Sequence, residues 1–270
     1  MGELDESAVD DLLRDDPDEM LAMLADLVGA TDQRLRALAR RLAARLFLDL
    51  ARTGRTRRAG IGRLVTQPYL PDGGDLDIDA SLEALAERGA GSVDARGLRV
   101  REWSRPATAL CLLVDRSGSM GGAPLAAAAL AAAAVASRSP DDYSVLAFGK
   151  DVLVLKGQGA TKPAESVVTD LLSLRGHGTT DVAGALHGAA LQLAASRAGR
   201  RVTVLLSDCR ATVDGDAEAA AGMLDELVVV APAADADEAE AFCRRTGARL
   251  TTVSGPSDVA EALVRALERA

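Results

Sequence analysis

The chain has few aromatic residues and few cysteines. Phe, Trp and Tyr make up 2% of its 270 residues, so alanine, leucine and valine must supply most of the 48% that is hydrophobic. Cys111, Cys209 and Cys243 are isolated and form no CxxC pair, which excludes a zinc ribbon and argues against a disulfide framework. A chain of this length and hydrophobic content can bury a core without covalent links.

The sequence also lacks a long apolar run and an excess of positive charge. Its most apolar stretch, Ala123–Ala136, is short and mostly alanine, which predicts a helix and not a membrane span. The first residues, MGELDESAVDD, are acidic where a secretion signal would be basic, so we expect a cytoplasmic protein without membrane contact. A net charge of −9 argues against a general nucleic-acid binder.

Residues 1–103 predict a mainly helical N-terminal region. Helical spacing of apolar residues and candidate caps indicate helices over Asp16–Val28, from Asp32 to about Thr53 and near Ser81–Arg88, followed by a strand over Leu98–Trp103. An arginine-rich loop is expected at 52–63. The acidic stretch DLDID at 75–79 lacks the glycine and glutamate of an EF-hand, and we interpret it as a turn that caps the helix after Asp79.

Residues 104–270 predict a second domain in which apolar strands alternate with helices. Strands are expected at Ala107–Val114, Tyr143–Phe148, Val152–Leu155, Val202–Leu206, Glu226–Val230 and Arg249–Val253. Helices are expected at Pro124–Ser137, Glu165–Leu174, Asp181–Ser196, Asp216–Leu224, Asp235–Thr246 and Ser257–Glu268. Strands that are apolar throughout indicate a mostly parallel sheet covered on both faces. The fold class is therefore α/β, a doubly wound Rossmann-like sheet, whose third strand forms a hairpin with the second and makes an antiparallel edge.

Polar side chains follow the first strand of this domain at alternate positions. Residues 115–119 read DRSGS, and the alternation places Asp115, Ser117 and Ser119 on one side of the emerging chain. A carboxylate and two hydroxyls can then converge on one point. Such hard oxygen ligands suit Mg²⁺ or Mn²⁺ better than zinc or copper.

Two later segments provide further oxygen ligands. GHGTTD at 176–181 opens a helix, and LLSD at 205–208 ends a strand. In doubly wound sheets, ligands bind beyond the carboxyl ends of the strands. If the strands that end at Asp115 and near Asp208 are neighbours, both carboxylates and Thr180 face one pocket.

These segments resemble, in order, the metal-ion-dependent adhesion site of von Willebrand factor A (VWA) domains. The matching stretches are DRSGSM at 115–120, GTTD at 178–181 and LLSD at 205–208. The resemblance covers roughly residues 105–270 and implies a VWA fold. By register with the following aspartate, Thr180 and not Thr179 corresponds to the threonine of the family. Cys209 is a departure, since many relatives have glycine there, and its thiol is either a tolerated small side chain or a redox-sensitive or partner-contacting group.

The resemblance implies a role for each metal-site residue. Ser117 and Ser119 would bind the metal directly, Thr180 directly or through water, and Asp115 and Asp208 mostly through water while accepting hydrogen bonds from the serines. Mg²⁺ is the expected cation, with Mn²⁺ or Ca²⁺ as alternatives. A site built largely of neutral hydroxyls leaves much of the charge of the ion uncompensated, so it should recruit a carboxylate from a protein partner as the sixth ligand.

The helical front section followed by REWSRPATALCLLVDRSGSM is similar to CoxE-like and magnesium-chelatase D-type proteins of bacteria. In those families the VWA domain works with an AAA+ ATPase of the MoxR or chelatase I type. The resemblance implies a non-catalytic adaptor that couples ATP-driven motion to a client in metal insertion or protein maturation. A chelatase-like subunit is the first alternative, weakened because the sequence lacks the AAA+-like module and acidic linker of chelatase D subunits.

Two rival functions belong to other classes. An RNA-binding or scaffold protein could use the arginine loop 52–63, although one basic cluster in an acidic chain is more often a solvated or partner-facing loop. A Mg²⁺-dependent phosphohydrolase could use Asp115 and Asp208, but the motif gives serines the place of the nucleophile, and no general base or activating lysine accompanies them.

Overall fold

The computed structural model describes residues 12–13, 15–28, 33–53, 63–69, 75–86, 97–104, 108–116, 122–174, 176 and 178–268. Contacts divide the chain into two compact units, one formed by Met1–Arg55 with Thr108–Ala270 and the other by Thr56–Ala107. The division between residues 103 and 104 stays a prediction.

The elements follow one another in the alternating order expected for the second domain. The helices are α1 (Pro17–Leu27), α2 (Gln33–Thr53), α3 (Ile78–Ala86), α4 (Gly122–Arg138), α5 (Ala164–Leu172), α6 (Val182–Ala194), α7 (Ala217–Ala221), α8 (Asp237–Thr246) and α9 (Val259–Glu268). The strands are β1 (Arg63–Pro68), β2 (Asp75–Leu76), β3 (Arg99–Ser104), β4 (Thr108–Asp115), β5 (Tyr143–Phe148), β6 (Val152–Lys156), β7 (Arg200–Leu206), β8 (Glu226–Pro232) and β9 (Arg249–Val253). A 3₁₀ turn at Pro256–Asp258 leads into α9.

The larger unit contains a six-stranded sheet with the order β6-β5-β4-β7-β8-β9. All neighbouring strands are parallel except β6, which pairs antiparallel with β5 at the edge. This is the doubly wound Rossmann order, in which the first strand of the domain lies at the switch point. The predicted fold class is confirmed, and the predicted strands agree with the observed ones to within two residues at each end.

The alanine-rich helix α4 lies between the sheet and the N-terminal helices. Every residue from Leu125 to Ala136 is buried except Ala127, which is half-buried. One side of α4 packs in the same core as sheet residues such as Leu112, and α1 and α2 cover the other with Leu24 and Phe47. Burying each of those two side chains contributes about 1.5–3 kcal/mol. A helix that is apolar all round is therefore buried here on all sides. In the described part of the chain, no helix combines the length and apolar character that a bilayer span requires.

Helix α1 begins as its sequence predicts. Pro17 occupies the first turn, and the Asp16 carboxylate accepts a hydrogen bond from the Glu19 N–H at 3.0 Å. A capping carboxylate and a proline at this position both favour helix initiation. The predicted helix over Asp16–Val28 is confirmed, as is the second helix, whose predicted cap Asp32 lies outside the described residues.

The smaller unit contains a three-stranded antiparallel sheet with the order β1-β3-β2. The sequence predicts only the strand that corresponds to β3, and β1 and β2 are two strands that it did not predict. Their local patterns are weak, because β1 reads RLVTQP without regular alternation and β2 has only two residues. The mainly helical character of residues 1–103 stays a prediction. Of the predicted arginine loop, residues 54–62 lie outside the described part of the chain.

The predicted turn at 75–79 does cap a helix, but α3 begins at Ile78, ahead of Asp79. The capping residue is Asp77. Its carboxylate accepts hydrogen bonds from the Ala80 N–H at 3.1 Å, the Thr66 hydroxyl at 2.9 Å and Arg101 Nε at 2.8 Å. These donors, led by the backbone of Ala80, lower the pKa of the Asp77 carboxyl below its ordinary value. The acidic stretch is thus a structural link between α3 and two strands.

Thr203 on β7 is fully buried, and among the described residues its hydroxyl has no hydrogen-bond partner. Replacing it by valine keeps the shape and removes a polar atom that is desolvated without compensation. We expect Thr203→Val to raise the free energy of unfolding by about 1 kcal/mol in urea titrations. The matched control is Thr252→Val at an exposed strand position, which should change it by less than about 0.5 kcal/mol. A loss of stability in Thr203→Val would show that the hydroxyl has a partner.

Candidate metal-binding site

The two strands that carry the predicted carboxylates are neighbours. β4 and β7 pair in parallel at the centre of the sheet, with Val114 opposite Leu206. Asp115 ends β4, and Asp208 follows β7 by two residues. Both aspartates therefore leave the sheet at the same carboxyl edge, which satisfies the condition that the sequence left open.

A hydroxyl of the second segment fixes the first carboxylate. Ser207 Oγ donates a hydrogen bond to Asp115 Oδ2 at 2.5 Å and accepts one from the Cys209 N–H at 2.9 Å. Ser207 is only 5% exposed, so this link lies beneath the surface of the site. The bond positions Asp115 by a serine, as the resemblance implies, but the serine belongs to LLSD and not to DRSGS.

Thr180 is held through its backbone N–H and carbonyl by the segment 212–213. It is 2% exposed, its N–H donates to Thr212 Oγ1 at 2.8 Å, and its carbonyl accepts from the N–H groups of Thr212 at 3.0 Å and Val213 at 3.3 Å. The next residue, Asp181, caps α6 by accepting from the Gly184 N–H at 2.8 Å. The threonine segment is therefore anchored by hydrogen bonds within the chain before α6 begins.

Asp208 is half-buried and forms a local turn. Its Oδ1 atom accepts a hydrogen bond from the Arg210 N–H at 2.9 Å. The Arg210 guanidinium pairs instead with the carboxylate of Asp235. Asp208 is thus oriented by its own backbone, as Asx turns commonly are.

Ser117 and Ser119 lie outside the described residues, so the structure places three of the five predicted ligands. Asp115 and Asp208 are at one edge of the sheet, and Thr180 lies in the segment before α6. The N–H of the next residue, Asp181, donates a hydrogen bond at 2.8 Å to the carbonyl of Gly149, which lies just beyond β5. In the described part of the chain, no group of three or more His, Cys, Asp or Glu side chains suits a metal ion. The predicted ligand set contains only two of these, both aspartates, and otherwise consists of hydroxyls.

Ser207 and Thr212 are positioning residues that sequence reasoning did not single out. Ser207 could have been found, since it precedes Asp208 at the end of a strand beside the predicted pocket. Thr212 could not, because its contact with Thr180 spans 32 residues and lies in an irregular loop with no motif.

Arg116 lies at the rim of this edge. Its N–H donates to the Phe148 carbonyl at 2.9 Å, which continues the pairing of β4 with β5. Its side chain lies beside Gly149, where an added Cβ would be in ordinary contact with Arg116 Cγ at 3.5 Å and in tighter contact with the Thr179 carbonyl oxygen at 3.2 Å. Its Nε atom is buried without a hydrogen-bond partner among the described residues. The arginine in DRSGS thus brings a cation beside the candidate site.

Cys209 adopts a left-handed backbone conformation. Its φ of +63° is the one positive value among the described residues other than glycine. Burial, with smaller contributions from Cys243 and nearby carboxylates, raises the pKa of its thiol well above the usual range. A thiol that stays protonated is a poor nucleophile, which favours the interpretation of Cys209 as a small packing residue.

This conformation predicts an unusual order of stability for two variants. At most positions in helices and strands, a glycine variant of a protein is less stable than the alanine variant by roughly 0.5–1 kcal/mol. At a position with a left-handed backbone the order is reversed. We expect Cys209→Gly to be more stable than Cys209→Ala by about 1 kcal/mol in chemical unfolding. The opposite order would show that the left-handed turn relaxes in solution.

A doubly wound sheet with polar residues after its two central strands is the arrangement of an α/β domain that binds ligands at the carboxyl edge of the sheet. The chain matches the family described as VWA domain containing CoxE-like protein over residues 20–234. It belongs to that family.

Comparison with solved structures agrees on the fold. A point mutant of the PilB minor pilin from Streptococcus sanguinis aligns with a TM-score of 0.50 at 10% identity, over 62% of this chain and 63% of that one. A von Willebrand factor type A protein from Catenulispora acidiphila aligns with a TM-score of 0.47 at 16% identity, over 62% of this chain and 43% of that one. An aerotolerance-related membrane protein from Bacteroides fragilis aligns with a TM-score of 0.48 at 15% identity, over 61% of this chain and 100% of that one. No curated protein matches significantly. At these identities the likeness concerns the fold alone.

Proposed function

We propose that the protein is a Mg²⁺-dependent adaptor whose metal site captures an aspartate or glutamate of a partner protein. The observation that carries this proposal is the adjacency of β4 and β7, which brings Asp115 and Asp208 to one edge. The Ser207 bond to Asp115 at 2.5 Å and the hydrogen bonds between the Thr180 backbone and the segment 212–213 support it, because they hold the Asp115 carboxylate and the Thr180 backbone in place.

The proposed ligands divide by charge. Asp115 and Asp208 supply two negative charges, and Ser117, Ser119 and Thr180 supply neutral hydroxyls. A bound Mg²⁺ would supply a hard cation with an open coordination position for an exogenous carboxylate. Arg116 would add a positive charge at the rim, which also favours an acidic partner. Mn²⁺ or Ca²⁺ could occupy the same site with the same partner chemistry.

The proposed partner is an AAA+ ATPase of the MoxR or chelatase type, and the adaptor would work in the cytoplasm. Membership of the CoxE-like family supports this choice, since the chain resembles proteins that work with such ATPases. The client would undergo metal insertion or maturation. In the alternative, a chelatase-like complex, the same metal site would bind a different AAA+ ATPase.

The proposed role is non-catalytic. Asp115 is half-buried and accepts a hydrogen bond from Ser207, so it is poorly placed as an exposed nucleophile. Asp208 accepts from the Arg210 backbone and is likewise engaged. An absence of phosphatase turnover that depends on Asp115 is the expected result in an assay with an activated phosphate ester.

The test is capture of a purified MoxR-type ATPase in three buffers. With Mg²⁺ we expect a complex, with EDTA we expect its loss, and with raised NaCl in the presence of Mg²⁺ we expect partial retention. A complex that resists EDTA but dissolves in salt would favour the rival in which the arginine loop 52–63 binds an acidic scaffold or RNA.

A further inference from the structure

The side chain of Arg116 lies beside the segment that carries Thr180. Arg116 directly follows Asp115, the last residue of β4. A Cβ atom added at Gly149 would lie 3.5 Å from both Cγ and Nε of Arg116 and 3.2 Å from the Thr179 carbonyl oxygen. These three atoms lie around one point, so the arginine side chain reaches from the end of β4 to the vicinity of the threonine segment.

The guanidinium group of Arg116 has no acceptor in the described part of the chain. Its Nε atom is buried without a hydrogen-bond partner there, and no described carboxylate forms an ion pair with it. A buried donor without an acceptor destabilises a fold. Contacts within the described chain therefore do not explain why an arginine occupies this position. Several arginines of the larger unit do pair with carboxylates: Arg138, Arg200, Arg210, Arg245, Arg249 and Arg265.

A positive charge beside a proposed cation site opposes metal binding, because like charges repel each other. Arginine keeps its charge throughout the physiological pH range, so this repulsion is permanent. The arrangement becomes favourable when an anion binds next to both cations. A carboxylate suits this position, because the planar guanidinium group can donate two parallel N–H···O bonds to its two oxygens.

We infer that Arg116 binds the partner carboxylate that the proposed metal site captures, and that it selects for an acidic residue. This inference rests on the proposed function and deepens it, since it names a residue of the chain that contacts the partner directly. Arg116 donates hydrogen bonds to the carboxylate, so recognition of an aspartate or glutamate does not depend on the ion alone. A partner residue with only a hydroxyl or an amide leaves the guanidinium charge without a counter-charge.

Two competing explanations are a general attraction between positive charge and an acidic partner, and a purely structural role of Arg116. Lys150→Met is the matched control for the first, because Lys150 is exposed, follows Gly149 and carries the same charge. Arg116→Met addresses the second, since methionine keeps the Cγ methylene beside Gly149 and removes the donors. Arg116→Lys keeps the charge and removes the planar pair of donors.

The experiment measures two affinities of the full chain for the wild type and these three variants. Calorimetry with MgCl₂ alone gives the metal affinity, and equilibrium capture of the purified MoxR-type ATPase in saturating MgCl₂ gives the partner affinity. We expect Arg116→Met to weaken capture about tenfold, as loss of a hydrogen bond to a charged group does, and Arg116→Lys about threefold. Arg116→Met should bind Mg²⁺ at least as tightly as the wild type, because a like charge has been removed. Lys150→Met should stay within about twofold of the wild type in capture.

The outcomes separate this inference from the proposed function. Wild-type capture by Arg116→Met, with Mg²⁺ binding intact, would overturn the inference and leave the metal site standing. Capture by Arg116→Lys equal to that of the wild type, or equal weakening in Lys150→Met, would assign the effect to charge alone. Parallel losses of metal affinity and capture in Arg116→Met would show a structural role, and urea unfolding of that variant tests whether the fold is retained. Absence of Mg²⁺ binding by the wild type would overturn both proposals.

Discussion

Replacing Asp208 by alanine is expected to lower the affinity for the ATPase in Mg²⁺ by about 100-fold, as loss of a metal-site carboxylate commonly does. The reason is that the proposed site has two carboxylates, and removing one would leave a divalent cation held mainly by neutral oxygens. Ser119→Ala should have a comparable effect, because Ser119 is a proposed direct ligand. Equilibrium binding in Mg²⁺, followed by titration calorimetry or anisotropy, measures both losses.

The control for this prediction is Asp214→Ala. Asp214 is exposed and six residues from Asp208, so its removal changes the net charge equally without touching the proposed ligands. Its affinity for the ATPase should match that of the wild type. The unfolding free energy of Asp208→Ala should stay close to that of the wild type, because Asp208 is half-buried and its recorded contact is a local backbone bond. Unchanged capture by both Asp208→Ala and Ser119→Ala would contradict the metal-site proposal.

Replacing Glu226 by alanine is expected to lower the free energy of unfolding by about 2–3 kcal/mol. Its carboxylate accepts hydrogen bonds from Arg200 Nε at 2.7 Å and Nη2 at 2.8 Å and from Arg249 Nη2 at 2.8 Å. The same two arginines donate to the carbonyls of Leu267 and Ala266 at the end of α9. Loss of the carboxylate removes these three hydrogen bonds and the negative charge between two neighbouring guanidinium groups, which loosens the attachment of α9.

The control for Glu226 is Glu261→Ala, which removes an exposed i,i+4 ion pair with Arg265. We expect it to change stability by less than about 0.5 kcal/mol. Urea unfolding of both variants distinguishes a network at the sheet edge from an ordinary surface pair. Similar losses in the two variants would show that the arginines at the strand ends are solvated and contribute little.

Glu226 also predicts how stability responds to acid. Hydrogen bonds from Arg200, followed by the charges of Arg200 and Arg249, lower the pKa of the Glu226 carboxyl below its ordinary value of 4.5. A carboxyl whose pKa is lower in the folded state stabilises the fold above the unfolded value, and this contribution is lost as the pH falls through the folded pKa. The stability of Glu226→Gln should therefore fall less steeply than that of the wild type below pH 4.5.

Local sequence patterns predicted the sheet of the larger unit well. Its strands are apolar throughout because they are buried on both faces, and their separation by helices implies parallel order. Asp115 and the segment at 205–208 could be assigned to one edge because carboxyl ends of parallel strands coincide. Neither inference needs a contact that is distant in sequence.

The features that the sequence did not predict depend on long-range contacts. β1 and β2 form through pairing with β3 and carry little periodicity of their own. The bond from Ser207 to Asp115 spans 92 residues, and the bond from Gly122 to Asp26 spans 96. Local periodicity contains no information about such partners. The covering of α4 by α1 and α2 was indicated by the sequence of α4, since a helix without a polar face must be buried on all sides.

Titration of the metal-free wild-type chain and Ser119→Ala with MgCl₂ tests the central claim most directly. We expect one Mg²⁺ per chain for the wild type and loss of most of that affinity in Ser119→Ala, with both proteins equally folded. Absence of binding by the wild type, or the same affinity in Ser119→Ala, would contradict a cation site built from Asp115, Ser117, Ser119, Thr180 and Asp208.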